Sequence, residues 1–241
     1  RMGRGGTLAS ATGGGGGGAF SNEYSVSFDG TDDYIQVPQD SSIDKNGSMS
    51  ISAWFYADTL TSYRTIIAKR DASFDFQFAV SGSKFTFYNP TSGSFLLGTT
   101  SLSVDTWYHV CVSIDVGVTN GSKIYLNGNV DNQGTDSTAN FTTAAIRIGD
   151  NTRSRYWGGQ IDEVAYFHTA LSASEVNDLR GGVSAGTLGL PADIEDLNPV
   201  AWWRMGDGTE AASGTTVYDM SDNSNNGTLT NGPTFSSNVP S

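Results

Sequence analysis

Few residues of this 241-residue chain have the chemistry that catalysis requires. There are two histidines, His109 and His168, and one cysteine, Cys111. No two glutamates mark out the carboxylate pair that hydrolyses a glycosidic bond, and no zinc motif, phosphate-binding glycine loop or nucleophile elbow is present. The glutamates are scattered, at Glu23, Glu163, Glu175, Glu195 and Glu210. We therefore predict that the chain is not an enzyme and that the histidines and the cysteine are structural.

Oxygen-bearing side chains offer the more promising chemistry, because calcium binds chiefly to carboxylate and carbonyl oxygens. The chain has 25 acidic residues against 13 lysines and arginines, for a formal net charge of -12. One run, Asp-Asn-Ser-Asn-Asn-Gly at 222–227, begins like an EF-hand loop. Pro233 stands where that loop needs a glutamate. We interpret the run as a polar turn.

The segment 150–157, Asp-Asn-Thr-Arg-Ser-Arg-Tyr-Trp, has the composition of a sugar-binding loop. Sugars are held by exposed aromatic rings beside polar groups, and the segment offers both. We predict a ligand-binding site there, formed by Arg153, Arg155, Tyr156 and Trp157.

The charge balance also bears on the partners of the chain. A net negative protein is repelled by nucleic-acid phosphates and by anionic lipid surfaces. No apolar stretch approaches the length of a membrane helix. We predict no nucleic acid and no membrane among the partners, and we expect the acidic surface to suit a basic protein or divalent cations.

The elements that would position these groups centre on residues 158–182. Gln160–Phe167 read as a strand that is covered on both faces, because apolar residues occur at odd and at even positions. Strict alternation places Ile161, Ala165 and Phe167 on one face and the remaining apolar residues, Val164 and Tyr166, on the other.

A short helix is predicted directly after this strand. Ser172 and Glu175 have the spacing of a capping box, and Leu171 and Val176 that of a hydrophobic staple. The glycine pair 181–182 is a stop signal. We expect one helix of about two turns near residues 173–180 and no other.

The rest of the chain reads as short strands separated by polar turns. Residues 74–80 and 84–88 alternate apolar and polar side chains around Ser-Gly-Ser, which predicts a hairpin. Further strands are indicated at 108–114 and at 146–148, and one ends at Asn127-Gly128, a tight-turn signal. The predicted fold class is all-β, a sandwich of two antiparallel sheets with one short helix.

Five motifs, in order, resemble the laminin G-like, concanavalin A-like jelly-roll family. The segment 25–38, Ser-Val-Ser-Phe-Asp-Gly-Thr-Asp-Asp-Tyr-Ile-Gln-Val-Pro, resembles its opening strand, and Gly-x-Ile-Asp-Glu-Val at 159–164 resembles its closing strand. Core strands are matched at 49–56, 106–115 and 123–128. The resemblance implies a concanavalin A-like jelly roll, a fold that hosts many functions.

The same resemblance implies site residues. Many relatives bind one structural Ca²⁺ between the opening and closing strands, and the matching positions here are Asp29, Gly30 and Asp162. The alternative is that Asp29 only starts a turn and that Asp162 accepts backbone hydrogen bonds. Trp157 matches a position where the family has a structural aromatic residue. This structural role is the alternative to a role in ligand binding. The Glu-x-Asp-x-x-Glu pattern of the related glycosidases is absent.

The chain divides into four predicted parts. These are a glycine-rich N-terminal arm (1–22), the jelly-roll sandwich (23–181), a linker (182–198) and a C-terminal segment (199–241). The last part resembles a motif that precedes laminin G-like domains in many relatives. It is too short to fold alone, so we expect it to pack on the sandwich or on a neighbour.

Two functions remain open from sequence. The first is a structural, surface-display protein, a decoration, fibre or shell component of a virion, since the arm–domain–tail arrangement resembles marine phage structural proteins. It would assemble with itself or with protein partners in a symmetric array through Arg1, Arg4 and Phe20. The second is a lectin-like adhesin for cell-surface or environmental glycans. Either role implies an extracellular location or a virion surface.

Overall fold

The computed structural model describes residues 20–60, 63–70, 74–141 and 144–241. Its helices are one α-helix, α1 (Ala173–Asp178), and two 3-10 turns, Ser41–Ile43 and Glu195–Leu197. Its strands are β1 (Ser25–Asp29), β2 (Tyr34–Val37), β3 (Lys45–Asn46), β4 (Met49–Ala57), β5 (Arg64–Arg70), β6 (Phe74–Ser81), β7 (Lys84–Asn89), β8 (Ser94–Leu97), β9 (Trp107–Ile114), β10 (Ser122–Leu126), β11 (Asn129–Gly134), β12 (Asn140–Phe141), β13 (Ile146–Ile148), β14 (Gly158–Phe167), β15 (Ala201–Trp203), β16 (Thr216–Val217), β17 (Gly227–Thr230) and β18 (Thr234–Ser236).

Two eight-stranded antiparallel sheets form the sandwich. The front sheet has the order β11-β10-β9-β4-β14-β1-β18, with β15 also paired to β14. The back sheet has the order β16-β17-β2-β13-β5-β6-β7-β8. The predicted all-β jelly-roll sandwich with one helix is therefore confirmed.

Apolar side chains from the facing sides of the two sheets fill the space between them, as strand alternation requires. Phe78 and Phe85, on the two strands of the predicted hairpin, pack edge to face with ring centroids 4.5 Å apart. Phe76 packs against Tyr166 of the front sheet at 6.2 Å. This inner core fixes the two sheets relative to each other.

A smaller core covers the outer face of the front sheet. Helix α1 packs there through Val176, together with Phe167, Tyr125, Cys111 and Trp202. The buried Cys111 thiol has a raised pKa, because burial disfavours the thiolate. The outer face of β14 is thus covered by the helix and by the C-terminal segment.

The capping box of α1 is present as predicted. The Glu175 amide donates to Ser172 Oγ at 3.3 Å, and the Ser172 amide donates to Glu175 Oε2 at 2.7 Å. Gly181 and Gly182 both adopt the left-handed conformation that ends helices.

A β-bulge in β14 changes the predicted faces. The register against β4 shifts between Asp162 and Ala165, and Glu163 has φ of 45°. Ile161 and Val164 therefore both point into the inner core, whereas Ala165 lies on the outer face. The prediction that Ile161 shares a face with Ala165 and Phe167 is wrong, because the extra residue inverts the alternation.

The C-terminal segment supplies strands to both sheets. β15 pairs with β14, β18 with β1, and β17 with β2. Trp203 is fully buried in the inner core and donates through Nε1 to the Asn225 carbonyl at 2.8 Å. Trp202 faces the outer core instead.

His109 is fully buried in β9. Its Nε2 lies 2.8 Å from Ser52 Oγ, and its ring packs against Trp54. Burial, and secondarily the charge of Arg180, lowers the pKa of His109 well below its ordinary value, so the ring is neutral. Within the described ranges, no helix is long and apolar enough to cross a membrane.

Candidate functional site

Three segments meet at one end of the sandwich, which we call the loop end. They are the turn between β1 and β2 (30–33), residues 63–64 and the segment 150–157. Asp29 pairs with Gly158 at the close of the β1–β14 ladder, and Arg64 begins β5 beside them. The loop end therefore unites the predicted sugar loop with two of the three predicted calcium ligands.

Arg64 ties the segments together. Its Nη1 donates to the Gly30 carbonyl at 3.1 Å and to the Tyr156 carbonyl at 2.8 Å. The Thr65 amide donates to the Arg155 carbonyl at 2.9 Å. Because the Gly30 carbonyl already accepts from a guanidinium, its predicted role as a calcium ligand loses support.

The turn after β1 carries a cluster of three carboxylates, Asp29, Asp32 and Asp33, whose oxygens lie within 4.8 Å of one another. Asp33 is buried, while Asp29 and Asp32 are exposed. The Asp29 amide donates to Asp33 Oδ2 at 2.9 Å, and the Thr31 amide to Asp29 Oδ1 at 2.7 Å. Burial raises the pKa of Asp33, and the charges of Asp29 and Asp32 add to this effect while the Asp29 amide opposes it. This oxygen-only donor set fits a calcium ion.

Asp162 lies away from this cluster. Val26 pairs with Ile161 and Asp29 with Gly158, so Asp162 is four positions along the ladder from Asp29, roughly 13 Å in an extended strand. Asp162 is fully buried and accepts from Asn22 Nδ2 at 2.9 Å and from the Glu163 amide at 2.8 Å. Burial, and then the neighbouring Glu163, raises its pKa well above the ordinary value. The structure thus separates Asp162 from Asp29, in line with the alternative of a carboxylate that accepts local hydrogen bonds.

The conformation of 150–157 is set by two buried polar residues. Asp150 pairs with Arg147 at 2.8 Å and accepts from the Thr152 amide at 2.8 Å. Asn151 Oδ1 accepts from the Arg153 amide at 3.0 Å. This internal bonding holds the loop in one shape without a regular strand.

The four predicted ligand-binding residues divide into two groups. Arg153 and Arg155 are exposed and Tyr156 is half-buried. Trp157 is only 1% exposed, packs edge-on against Phe55 and donates to the Gln160 carbonyl. Trp157 therefore belongs to the core, and we correct its assignment as a ligand-binding residue.

Tyr63 and Arg64 also belong to the loop end, although no sequence motif marks them. Arg155 lies over the Tyr63 ring, with Cζ 5.6 Å from the centroid. Burial raises the pKa of Tyr63 to about 12, although the charge of Arg155 works against this shift. No spacing connects residue 63 with residue 155, so only the fold reveals the pair.

The predicted assembly residues lie elsewhere. Phe20 stacks on Trp202 with ring centroids 6.4 Å apart, and Arg204 Cζ lies 4.2 Å from the Phe20 centroid. Phe20, Trp202 and Arg204 border a groove of about 310 Å³ on the outer face. Arg1 and Arg4, with the rest of residues 1–19, lie outside the described residues.

Comparisons with solved structures find the same fold in proteins of low sequence identity. A proposed carbohydrate-binding protein from Bacteroides ovatus is 18% identical, with a TM-score of 0.65 over 90% of this chain and 60% of the other. A heptameric pentraxin from Limulus polyphemus is 14% identical, with a TM-score of 0.54 over 71% and 92%. Domain 4 of an extracellular arabinanase from Geobacillus stearothermophilus, solved with arabinotriose, is 24% identical, with a TM-score of 0.51 over 64% and 75%.

This chain spans 60% of the length of the Bacteroides protein. No curated protein sequence matches it. A family profile, Laminin_G_3, matches residues 29–177, which contain most of both sheets, all but the last residue of helix α1 and the whole loop end. The chain therefore belongs to the concanavalin A-like lectin/glucanases superfamily.

Proposed function

We propose that this chain is a non-catalytic binding module that takes a glycan at the loop end. One observation carries the proposal. Exposed Arg153 and Arg155 and half-buried Tyr156 lie at the same end of the sandwich as the turn that holds the three carboxylates. Guanidinium and phenol groups donate to sugar hydroxyls, and an aromatic face packs on a sugar ring. The arabinanase domain solved with arabinotriose supports this ligand class by its shared fold.

Three glutamates have structural partners, which supports the absence of catalysis. Glu163 is bound by Trp202 and Arg204, and Glu175 caps α1. Glu210 accepts from the Gly206 amide at 2.9 Å and from the Tyr218 amide at 3.3 Å. Each of these three carboxylates thus has a local structural role.

Calcium is part of this proposal, with a revised ligand set. Asp29, Asp32 and Asp33 would hold Ca²⁺ in place of the Asp29–Asp162 pair, and the ion would fix the turn that borders the sugar loop. We expect calcium to raise the melting temperature and Asp33→Asn to remove most of that rise, because a ligand that binds only the folded state stabilises it. An unchanged melting curve after chelation, with Asp33→Asn behaving like the wild type, would exclude the ion.

Glycan binding is tested by applying the protein to a glycan array and measuring the affinity of the best ligand by calorimetry. Arg155→Ala and Tyr156→Ala should each weaken binding by at least about tenfold, equivalent to ~1.4 kcal/mol. Lys123→Ala, which lies in β10 away from the loop end, serves as the control. Binding that survives both loop variants, or no binding to any glycan, would contradict the proposal.

Surface display remains a second candidate. It is favoured by the anchoring of the chain at Phe20, where Arg204 donates to the Ser21 carbonyl and Phe20 packs on Trp202 at 6.4 Å. Residues 1–19 precede this anchor and would attach the module to a copy of itself or to a virion shell. Both candidate functions imply an extracellular location or a virion surface, where glycans and assembly partners are accessible.

The attachment role is tested by deleting residues 1–19 and measuring the oligomeric state by sedimentation. The truncated chain should keep its melting temperature and lose assembly. Assembly with undiminished affinity would show that these residues are only a tether.

A further inference from the structure

A second polar cluster lies at the end of the back sheet opposite the loop end. Arg64, at the loop end, pairs with Val80, and Val80 pairs with Phe85. β7 runs from there to Asn89, so the turn between β7 and β8 is at the far end. In this turn Asn89, Ser92 and Ser94 surround Asp136, which follows β11.

Asp136 is a fully buried residue whose two carboxylate oxygens differ in their hydrogen bonding. Oδ1 accepts from Asn89 Nδ2 at 2.8 Å, from Ser94 Oγ at 2.6 Å and from Ser92 Oγ. Oδ2 is buried and has no hydrogen-bond partner. A buried carboxylate oxygen without a hydrogen-bond partner is costly, so a cation that binds Oδ2 would stabilise the folded chain.

In the part of the chain that the structure describes, no lysine or arginine forms an ion pair with Asp136. The ion pairs found among the described residues are Lys69–Asp44, Arg147–Asp150 and Arg204–Glu163, and none includes Asp136. The side-chain groups bonded to Asp136 are instead two serine hydroxyls and the Asn89 amide, whose Nδ2 also donates to the Thr138 carbonyl at 3.0 Å. Carboxylate, hydroxyl and carbonyl oxygens are the ligands of a hard cation.

We propose that Asp136, with the hydroxyls of Ser92 and Ser94, forms a calcium-binding site that pins the β7–β8 turn to the segment after β11. A single carboxylate gives the site little negative charge. We therefore expect a dissociation constant for calcium of roughly 10⁻⁴–10⁻³ M, as in extracellular calcium-binding modules. The site is independent of the loop end and of the glycan proposal. It would fasten the free edges of the two sheets, β8 and β11, to each other.

The test counts calcium ions bound by the full chain in equilibrium dialysis at millimolar CaCl₂. Asp136→Asn should lose one equivalent relative to the wild type and should reduce the calcium-dependent rise in melting temperature. Asp131→Asn is the matched control, since it removes the same charge from a β11 carboxylate whose oxygens already accept from Thr99 and Thr100. Asp33→Asn removes a ligand of the calcium ion proposed at the loop end, so it measures the occupancy of that site separately.

If Asp136→Asn does not fold, Ser92→Ala and Ser94→Ala provide the measurement, and each should weaken calcium binding severalfold while Asp131→Asn leaves it unchanged. The proposal is overturned if Asp136→Asn binds as many calcium ions as the wild type. It is also overturned if both serine variants keep wild-type affinity, or if the only equivalent bound is the one that Asp33→Asn removes.

Discussion

Glu163 occupies a strained position that puts two consecutive carboxylates into a buried environment. Its φ of 45° is rare for a residue with a Cβ, and the bulge turns it towards Trp202 and Arg204. Trp202 Nε1 donates to Oε2 at 2.5 Å, and Arg204 Nε lies 2.9 Å from Oε1. Since Arg204 also binds the Ser21 carbonyl, this one carboxylate connects β14, the C-terminal segment and the start of the described chain.

The stability of the protein should fall as pH rises from about 4.5 to about 7. Burial raises the pKa of Glu163 from 4.5 to about 7, and Arg204 only partly offsets this effect. Between pH 4.5 and pH 7, Glu163 keeps a proton in the folded chain and has released it in the unfolded chain. The protonated carboxyl therefore stabilises the fold below pH 4.5, and this contribution, on the order of 3 kcal/mol, is lost as the pH rises through 7. Asp162, whose pKa is also raised by burial and by Glu163, contributes in the same direction.

Glu163→Gln should flatten this pH dependence, because glutamine does not titrate. The measurement is urea denaturation between pH 4.5 and 7.5, with Glu195→Gln, an exposed residue, as the control. Asp162, Asp207 and Arg204 face the same site and remain in the variant. A variant that keeps the full wild-type slope would assign the effect to other groups.

At the scale of elements, the features that the sequence predicted are those encoded within a few residues. The capping box, the hairpin around Ser-Gly-Ser and the Asn127-Gly128 turn each depend on neighbours in the chain. The bulge at Glu163 carries no glycine signal. The separation of Asp29 from Asp162 depends on the register between β1 and β14, in which Val26 pairs with Ile161 and Asp29 with Gly158, far apart in the chain. The Arg64 contacts that build the loop end are equally non-local, so residue patterns do not encode them.

The cap of α1 can be tested by Ser172→Ala. The change leaves the Glu175 amide without its side-chain acceptor and should lower the free energy of unfolding by about 1 kcal/mol. Chemical denaturation measures the loss, and Ser174→Ala within the same helix is the control. Equal stability of the two variants would mean that the cap contributes nothing.

The edge strand β8 is the most exposed apolar element in the described part of the chain. Phe95 is 52% exposed and Leu97 40%. An uncovered apolar edge is a template for pairing with another chain, and a lysine on it prevents this. Phe95→Lys should therefore reduce light scattering during partial thermal unfolding, whereas Val118→Lys, in a turn and 47% exposed, should not. Equal scattering from both variants would show that aggregation starts elsewhere.

At the scale of the whole molecule, the C-terminal segment completes both sheets. β1 lies between β14 and β18, and β2 lies between β13 and β17. The segment also fills the inner core with Trp203 and Met205. Strand pairing therefore crosses the predicted boundary between the sandwich (23–181) and the C-terminal segment (199–241).

Removal of residues 199–241 should abolish cooperative folding. The truncated chain loses a neighbour of β1, of β2 and of β14, and it leaves a cavity where Trp203 was. A Trp→Ala change alone costs about 3–5 kcal/mol, which is comparable with the stability of a typical domain. Thermal unfolding followed by circular dichroism measures the result. A sharp wild-type-like transition in the truncated chain would refute the expectation.

The strands that pair with β1 and β2 are synthesised much later than β1 and β2 themselves. Neither strand has a hydrogen-bonded neighbour until β13 and β14 have been made. The back sheet is complete only with β17 and the front sheet only with β18. At ribosomal rates of ~5–20 residues per second, the first strands wait on the order of ten seconds or more for their partners. The nascent chain consequently carries β1 and β2 unpaired through much of translation, and its yield in cells should depend on chaperones that hold it until their partner strands emerge.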